Sequence, residues 1–99
     1  MIRHVTLLKF KPEVPAADRE RVAAAARDLD RQITIGCNLV AGPDLTHAER
    51  SYDLAVVGDF ADLDGVRRYA EHPAHQAFAA SVHDLVTSIV SVDFDPALP

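Results

Sequence analysis

Residues 2–10 read IRHVTLLKF, a β-branched and largely apolar run that ends before Pro12. Alternate residues of a β-strand point to opposite faces of its sheet, and both alternating sets of this run contain apolar side chains. Residues 52–60, YDLAVVGDF, share this property. Because an antiparallel sheet covered by helices on one face normally alternates apolar and polar residues, these strands predict a sheet that needs cover on both faces.

The segments around these strands supply the other elements of an α+β fold. Apolar residues recur at helical spacing after Pro15 and after Pro73, and proline suits the first turn of a helix. The predicted order is that of the split βαβ, ferredoxin-like motif, with a four-stranded antiparallel sheet and helices on one face. Residues 1–99 are predicted to form one domain. Its elements are a strand over 2–10, a helix over 16–33 stopped by Gly36, strands over 37–41 and 52–60 with a turn at Gly42, Pro43 and Asp44 between them, helices over 63–71 and from Pro73, and a strand over 87–94.

The uncovered face of such a sheet predicts an oligomer. A second copy of the same sheet can cover it, which gives a closed two-fold assembly in which two sheets face each other like a barrel. The alternative is a monomer that exposes a few apolar residues, as protein surfaces do. Because large exposed apolar patches are unusual, we expect a homodimer that associates through the sheet face.

Composition excludes several classes of partner and site. The 99 residues carry a formal charge of −5, which gives no positive patch for nucleic acid. Cys37 is the single cysteine, so an intrachain disulfide is impossible; its place in a strand suggests a small buried residue. The apolar run from Val5 to Leu8 is too short for a signal-peptide core or a membrane span, so we expect a cytoplasmic protein without a membrane partner.

The segment HPAHQAF, residues 72–78, is the strongest local candidate for chemistry. Pro73 places His75 in the first turn of a helix, near the side that carries Phe78, and His4 lies in the strand set that would face the helices. Both imidazoles could then open into one space, where a neutral histidine can act as a general base. The alternative is that both histidines only satisfy nearby backbone groups. Tyr69 either offers its hydroxyl to a ligand or packs with its polar tip in water.

Four segments together resemble the stress-responsive A/B barrel domain (Dabb) family of dimeric α+β barrel proteins. They are IRHVTLLKFKPE at 2–13, SYDLAVVGDF at 51–60, YAEHPAHQAF at 69–78 and VSVDFDP at 90–96. The resemblance implies a ferredoxin-like fold that dimerises into a barrel.

The family includes plant stress proteins and a plant polyketide cyclase that performs an intramolecular aldol condensation. The resemblance implies that His4 and His75 match two key histidines of that cyclase and that Tyr69 matches its supporting tyrosine. This chain departs from the cyclase at two pocket positions, with Leu54 in place of a histidine and Ala26 in place of a tyrosine.

These observations predict a mostly apolar pocket for a small carbonyl compound, lined by Leu54, Val56, Ala26 and Phe78. If the protein is an enzyme, His75, His4 and Tyr69 are the expected catalytic group. The expected reaction is proton abstraction beside a carbonyl, as in aldol-type cyclisation or isomerisation of a polyketide-like compound, without metal or organic cofactor. The competing function is a non-enzymatic stress-response or scaffold protein whose barrel assembly is itself the function.

Overall fold

The computed structural model describes the backbone of residues 1–99 and every side chain except that of Cys37, so the predicted burial of Cys37 lies outside the described residues. The elements are β1 (Ile2–Phe10), α1 (Ala16–Gln32), β2 (Cys37–Pro43), β3 (Leu54–Phe60), α2 (Leu63–Glu71), α3 (Pro73–Val82), a short 3₁₀ turn (His83–Leu85) and β4 (Val86–Phe94). The four strands form an antiparallel sheet in the order β2-β3-β1-β4. No helix of the described backbone is both long and apolar enough to cross a membrane.

The predicted role of Gly36 as the stop of the first helix is wrong. The helix ends at Gln32, and the extended residue Ile33 caps it by donating its backbone N–H to the Leu29 carbonyl at 2.8 Å. Gly36 does not adopt the positive φ of a glycine cap. A Cβ at Gly36 would lie 2.4 Å from the Phe60 ring, so glycine is required there for close approach to an aromatic side chain.

The predicted turn after β2 also starts too early. Gly42 and Pro43 continue the strand, and Pro43 pairs with Leu54, the first residue of β3. Proline is tolerated there because β2 is an edge strand, where its missing N–H breaks no bond to a second neighbour. The prediction began β3 at residue 52, two residues before the observed start.

The hydrophobic core lies between the helices and one face of the sheet. Leu8, Val56 and Phe60 from the strands meet Leu29 of α1 in one buried cluster. Residues His4, Thr6, Leu8 and Phe10 share this face, as the alternation of β1 predicts. Phe10 is also buried, so one end of β1 is covered by the core.

Leu29 offers a direct test of this core because its side chain is 2% exposed. Leu29→Ala should lower the free energy of unfolding by about 2–5 kcal/mol, through lost burial and a residual cavity. Leu63→Ala, at an exposed leucine on α2, is the matched control and should change stability by less than about 0.5 kcal/mol. Urea denaturation measures both values, and equal effects of the two substitutions would contradict the placement of α1 on the core.

The other face of the sheet, here called the open face, carries no helix and has an apolar centre. Val5 of β1 pairs with Val57 of β3 on one side and with Val92 of β4 on the other. Val92 is 55% exposed. Polar contacts flank this centre, with Arg3 donating from Nε to the Asp59 carboxylate at 2.9 Å near one end. The open face also includes Leu7, Ala55, Val90 and Phe94.

Candidate active site

A break between two helices positions His75. Helix α2 ends at Glu71, and His72 takes an extended conformation because the residue before a proline is disfavoured in the α region. Pro73 then begins α3, and the Nδ1 atom of His72 accepts a hydrogen bond from the Ala74 N–H at 3.0 Å. This cap fixes the start of α3, so His75 lies in its first turn and turns toward the sheet.

Three candidate residues come together at this point. Tyr69 near the end of α2 lies between the two imidazoles, with its ring centroid 4.6 Å from that of His75 and 5.8 Å from that of His4. Phe60 supports the tyrosine from the sheet, with ring centroids 5.1 Å apart. The structure therefore brings His4, Tyr69 and His75 into one cluster.

The cluster borders a cavity of about 330 Å³ between the sheet and the last two helices. Two of the four residues expected to contact a ligand, Val56 and Phe78, line this cavity. Leu54 borders separate hollows beside the 44–53 loop, and Ala26 is fully buried where α1 packs on the core. The separation follows from the packing, because α1 lies mainly over β2, whereas the cavity is bounded mainly by β1, β4, α2 and α3, with Val56 of β3 at its floor. Other lining residues include Leu8, Ala70, Ala79, Val82 and Ile89.

His4 is held at both ring nitrogens. Its Nδ1–H donates to the carboxylate of Asp93, its register partner on β4, and its Nε2 lies 3.0 Å from the Thr6 hydroxyl oxygen. A carboxylate beside Nδ1 fixes the tautomer and the ring orientation. His4 therefore forms a polar part of the cavity wall with a fixed ring orientation.

Sequence reasoning did not identify Asp93 or Thr6 as site residues, nor Ser91, which also lines the cavity. The alternation of β4 is the sequence signal that could have identified these residues. Thr6 pairs with Ser91, and His4 pairs with Asp93, so a correct β1–β4 register would have placed all three beside the cavity. That register was not part of the prediction.

Burial sets the charge states of His75 and Tyr69. It lowers the pKa of His75 below 6.5, and nearby His4 reinforces this shift. The Ala70 backbone carbonyl opposes the shift by accepting a hydrogen bond from His75. Burial raises the pKa of Tyr69 to about 12. At neutral pH the site therefore presents a neutral imidazole beside a neutral phenol.

The Tyr69 hydroxyl is available to a ligand. The tyrosine is only 3% exposed, and its hydroxyl has no hydrogen-bond partner among the described residues. Because no described side-chain polar atom is both fully buried and unpartnered, this hydroxyl keeps some exposed surface, and Tyr69 lines the cavity. The hydroxyl can donate a hydrogen bond to a carbonyl oxygen while the neutral imidazole beside it accepts a proton from the adjacent carbon. Among the described side chains, no three His, Cys, Asp or Glu residues are grouped as metal ligands.

Comparison with known proteins identifies the family and the fold. The family model described as Stress responsive A/B Barrel Domain matches residues 2–96. An uncharacterised protein of Streptomyces coelicolor is 34% identical, covering 92% of this chain and 96% of its own length. Olivetolic acid cyclase of Cannabis sativa is 26% identical, with 96% of each chain covered. The crystal structure of a dimeric ferredoxin-like protein of unknown function from Thermobifida fusca is 35% identical, with a TM-score of 0.83 over 94% of this chain and 88% of that one. The fold is thus ferredoxin-like, as the order of elements predicts.

Proposed function

Because the chain belongs to the stress responsive A/B barrel domain family, we propose that it is a homodimer whose cavity binds a small carbonyl compound and removes a proton beside the carbonyl. One observation carries the chemical part of the proposal. The ring of His75 lies 4.6 Å from that of Tyr69, and burial favours the neutral form of both groups. A base and a hydrogen-bond donor are what enolate formation needs.

In the proposed step, the Tyr69 hydroxyl donates a hydrogen bond to the carbonyl oxygen of the ligand. The His75 nitrogen that does not face the Ala70 carbonyl takes the proton from the adjacent carbon. The electrons of the broken C–H bond form an enolate, whose oxygen is stabilised by Tyr69. The protonated His75 then returns the proton. Protonation on the opposite face of the same carbon, or at a conjugated carbon, gives isomerisation. If the enolate carbon instead attacks a second carbonyl carbon of the same molecule, the proton goes to the alkoxide oxygen that forms, which gives aldol-type cyclisation.

The cavity supports a small and partly apolar ligand. Its volume of about 330 Å³ is at the lower end of the range for small-molecule sites, roughly 300–1,000 Å³. Leu8, Phe78 and Val82 give it apolar walls, and a few polar side chains from the sheet and the helices complete the lining. The relationship to olivetolic acid cyclase supports this class of reaction, and Leu54 and Ala26 lie outside this cavity.

The homodimer is proposed to form through the open face. Its apolar centre is flanked by polar contacts, an arrangement that typically marks an interaction surface. The related structure from Thermobifida fusca is described as dimeric. In such a dimer the two cavities lie on the outer, helix-covered sides of the paired sheets.

The pH dependence of proton removal tests the proposed chemistry. With methyl isobutyl ketone in D₂O, we expect the protein to accelerate exchange of the protons beside the carbonyl for deuterium. A base must be neutral to act, and the pKa of His75 is lowered, so activity should be lost as the pH falls through an inflection below 6.5. Tyr69 remains a donor up to its pKa of about 12, so no second loss is expected near pH 10. NMR measures the exchange, and an inflection well above 6.5 would show that another group is the base.

A further inference from the structure

Two hydroxyl side chains in the cavity have no role in proton removal by His75. Thr6 of β1 and Ser91 of β4 are direct register partners, and both line the cavity. Side chains directly opposite in an antiparallel pair have their Cβ atoms about 4.5–5.5 Å apart. Thr6 and Ser91 are therefore close enough to contact one ligand atom together.

The two hydroxyls offer complementary hydrogen bonds. His4 donates from Nδ1 to Asp93, and in that tautomer Nε2 accepts the Thr6 hydroxyl proton at 3.0 Å. The Thr6 oxygen then faces the ligand as an acceptor. Ser91 is exposed at the cavity rim, so its hydroxyl is free to donate. One acceptor beside one donor matches an alcohol or enol hydroxyl, which both donates and accepts.

We propose that Thr6 and Ser91 form a hydroxyl-binding subsite and that the ligand is a small β-hydroxycarbonyl compound. This inference rests on the proposed function, in which Tyr69 binds the carbonyl oxygen. The His4 ring contacts both polar groups: its centroid lies 5.8 Å from that of Tyr69, and its Nε2 lies 3.0 Å from the Thr6 hydroxyl oxygen. Because one side chain reaches both groups, a ligand with two oxygens on a short carbon chain suits the site.

Matched ligands can test the subsite. Diacetone alcohol carries a hydroxyl β to its ketone, and methyl isobutyl ketone has the same carbon skeleton without that hydroxyl. We expect the protein to bind diacetone alcohol about tenfold more tightly than methyl isobutyl ketone, because the plain ketone leaves the Thr6 and Ser91 hydroxyls without a hydrogen-bond partner. NMR titration would measure both affinities. Thr6→Val and Ser91→Ala should each remove most of this preference, while Thr6→Ser should retain it.

Ser88→Ala is the matched control on the same strand. Ser88 bonds to the Tyr52 hydroxyl at 2.9 Å, outside the cavity, so this variant should keep the preference. Equal binding of the two ligands by the wild type, or a preference that survives both Thr6→Val and Ser91→Ala, would overturn the subsite. In that case binding of the plain ketone that depends on His75 would still support the proposed function. If neither ligand binds, both proposals fail.

Discussion

Val57→Asp is expected to convert the proposed dimer into a monomer. Val57 lies at the apolar centre of the open face, where it pairs with Val5 and with Val40. In a two-fold dimer the substitution would bury two carboxylates without partners, and each would cost several kcal/mol of association free energy. Since 1.4 kcal/mol corresponds to a tenfold change, the dissociation constant should rise by more than about a thousandfold. Sedimentation equilibrium at micromolar concentration would measure the change.

Leu63→Asp provides the matched control for this result. Leu63 is an apolar residue on α2 that is 63% exposed and lies away from the open face. The variant should remain dimeric, and circular dichroism should show both variants folded. A wild-type protein that sediments as a monomer at micromolar concentration, or a Val57→Asp variant that stays dimeric, would contradict association through the open face.

Local patterns predicted most of the fold. The bounds of β1 and α2 and the start of α3 follow from alternation, helical spacing and two proline positions, because those signals are local. Gly36 was misinterpreted because its requirement comes from the Phe60 ring, a residue 24 positions away in the chain. The extension of β2 to Pro43 similarly depends on pairing with Leu54, which no local pattern reveals.

The candidate site was only partly predictable, for the same physical reason. Alternation and helical rotation predicted that His4 and His75 face a common space. Asp93 could not be found this way, because it contacts His4 across 89 residues of sequence. Ala26 follows only from the resemblance to a family pocket, and the structure places it on the buried side of α1, in the core.

His75→Ala is expected to remove most of the acceleration of deuterium exchange. General base catalysis typically contributes about 10²–10⁴-fold, so the variant should fall to near the uncatalysed rate. The fold should persist because His75 is half-buried and alanine is a good helix former. His83→Ala is the matched control, since His83 is an 85% exposed histidine just after α3 that faces away from the cavity, and it should retain the wild-type rate.

We propose that this cavity removes a proton beside a carbonyl through His75. The rate of deuterium incorporation into methyl isobutyl ketone at neutral pH, compared between the wild type and His75→Ala, tests this proposal. We expect exchange above background with the wild type and a fall of about 10²-fold or more in the variant. Equal rates for the two proteins would contradict it and would favour the barrel assembly itself as the function.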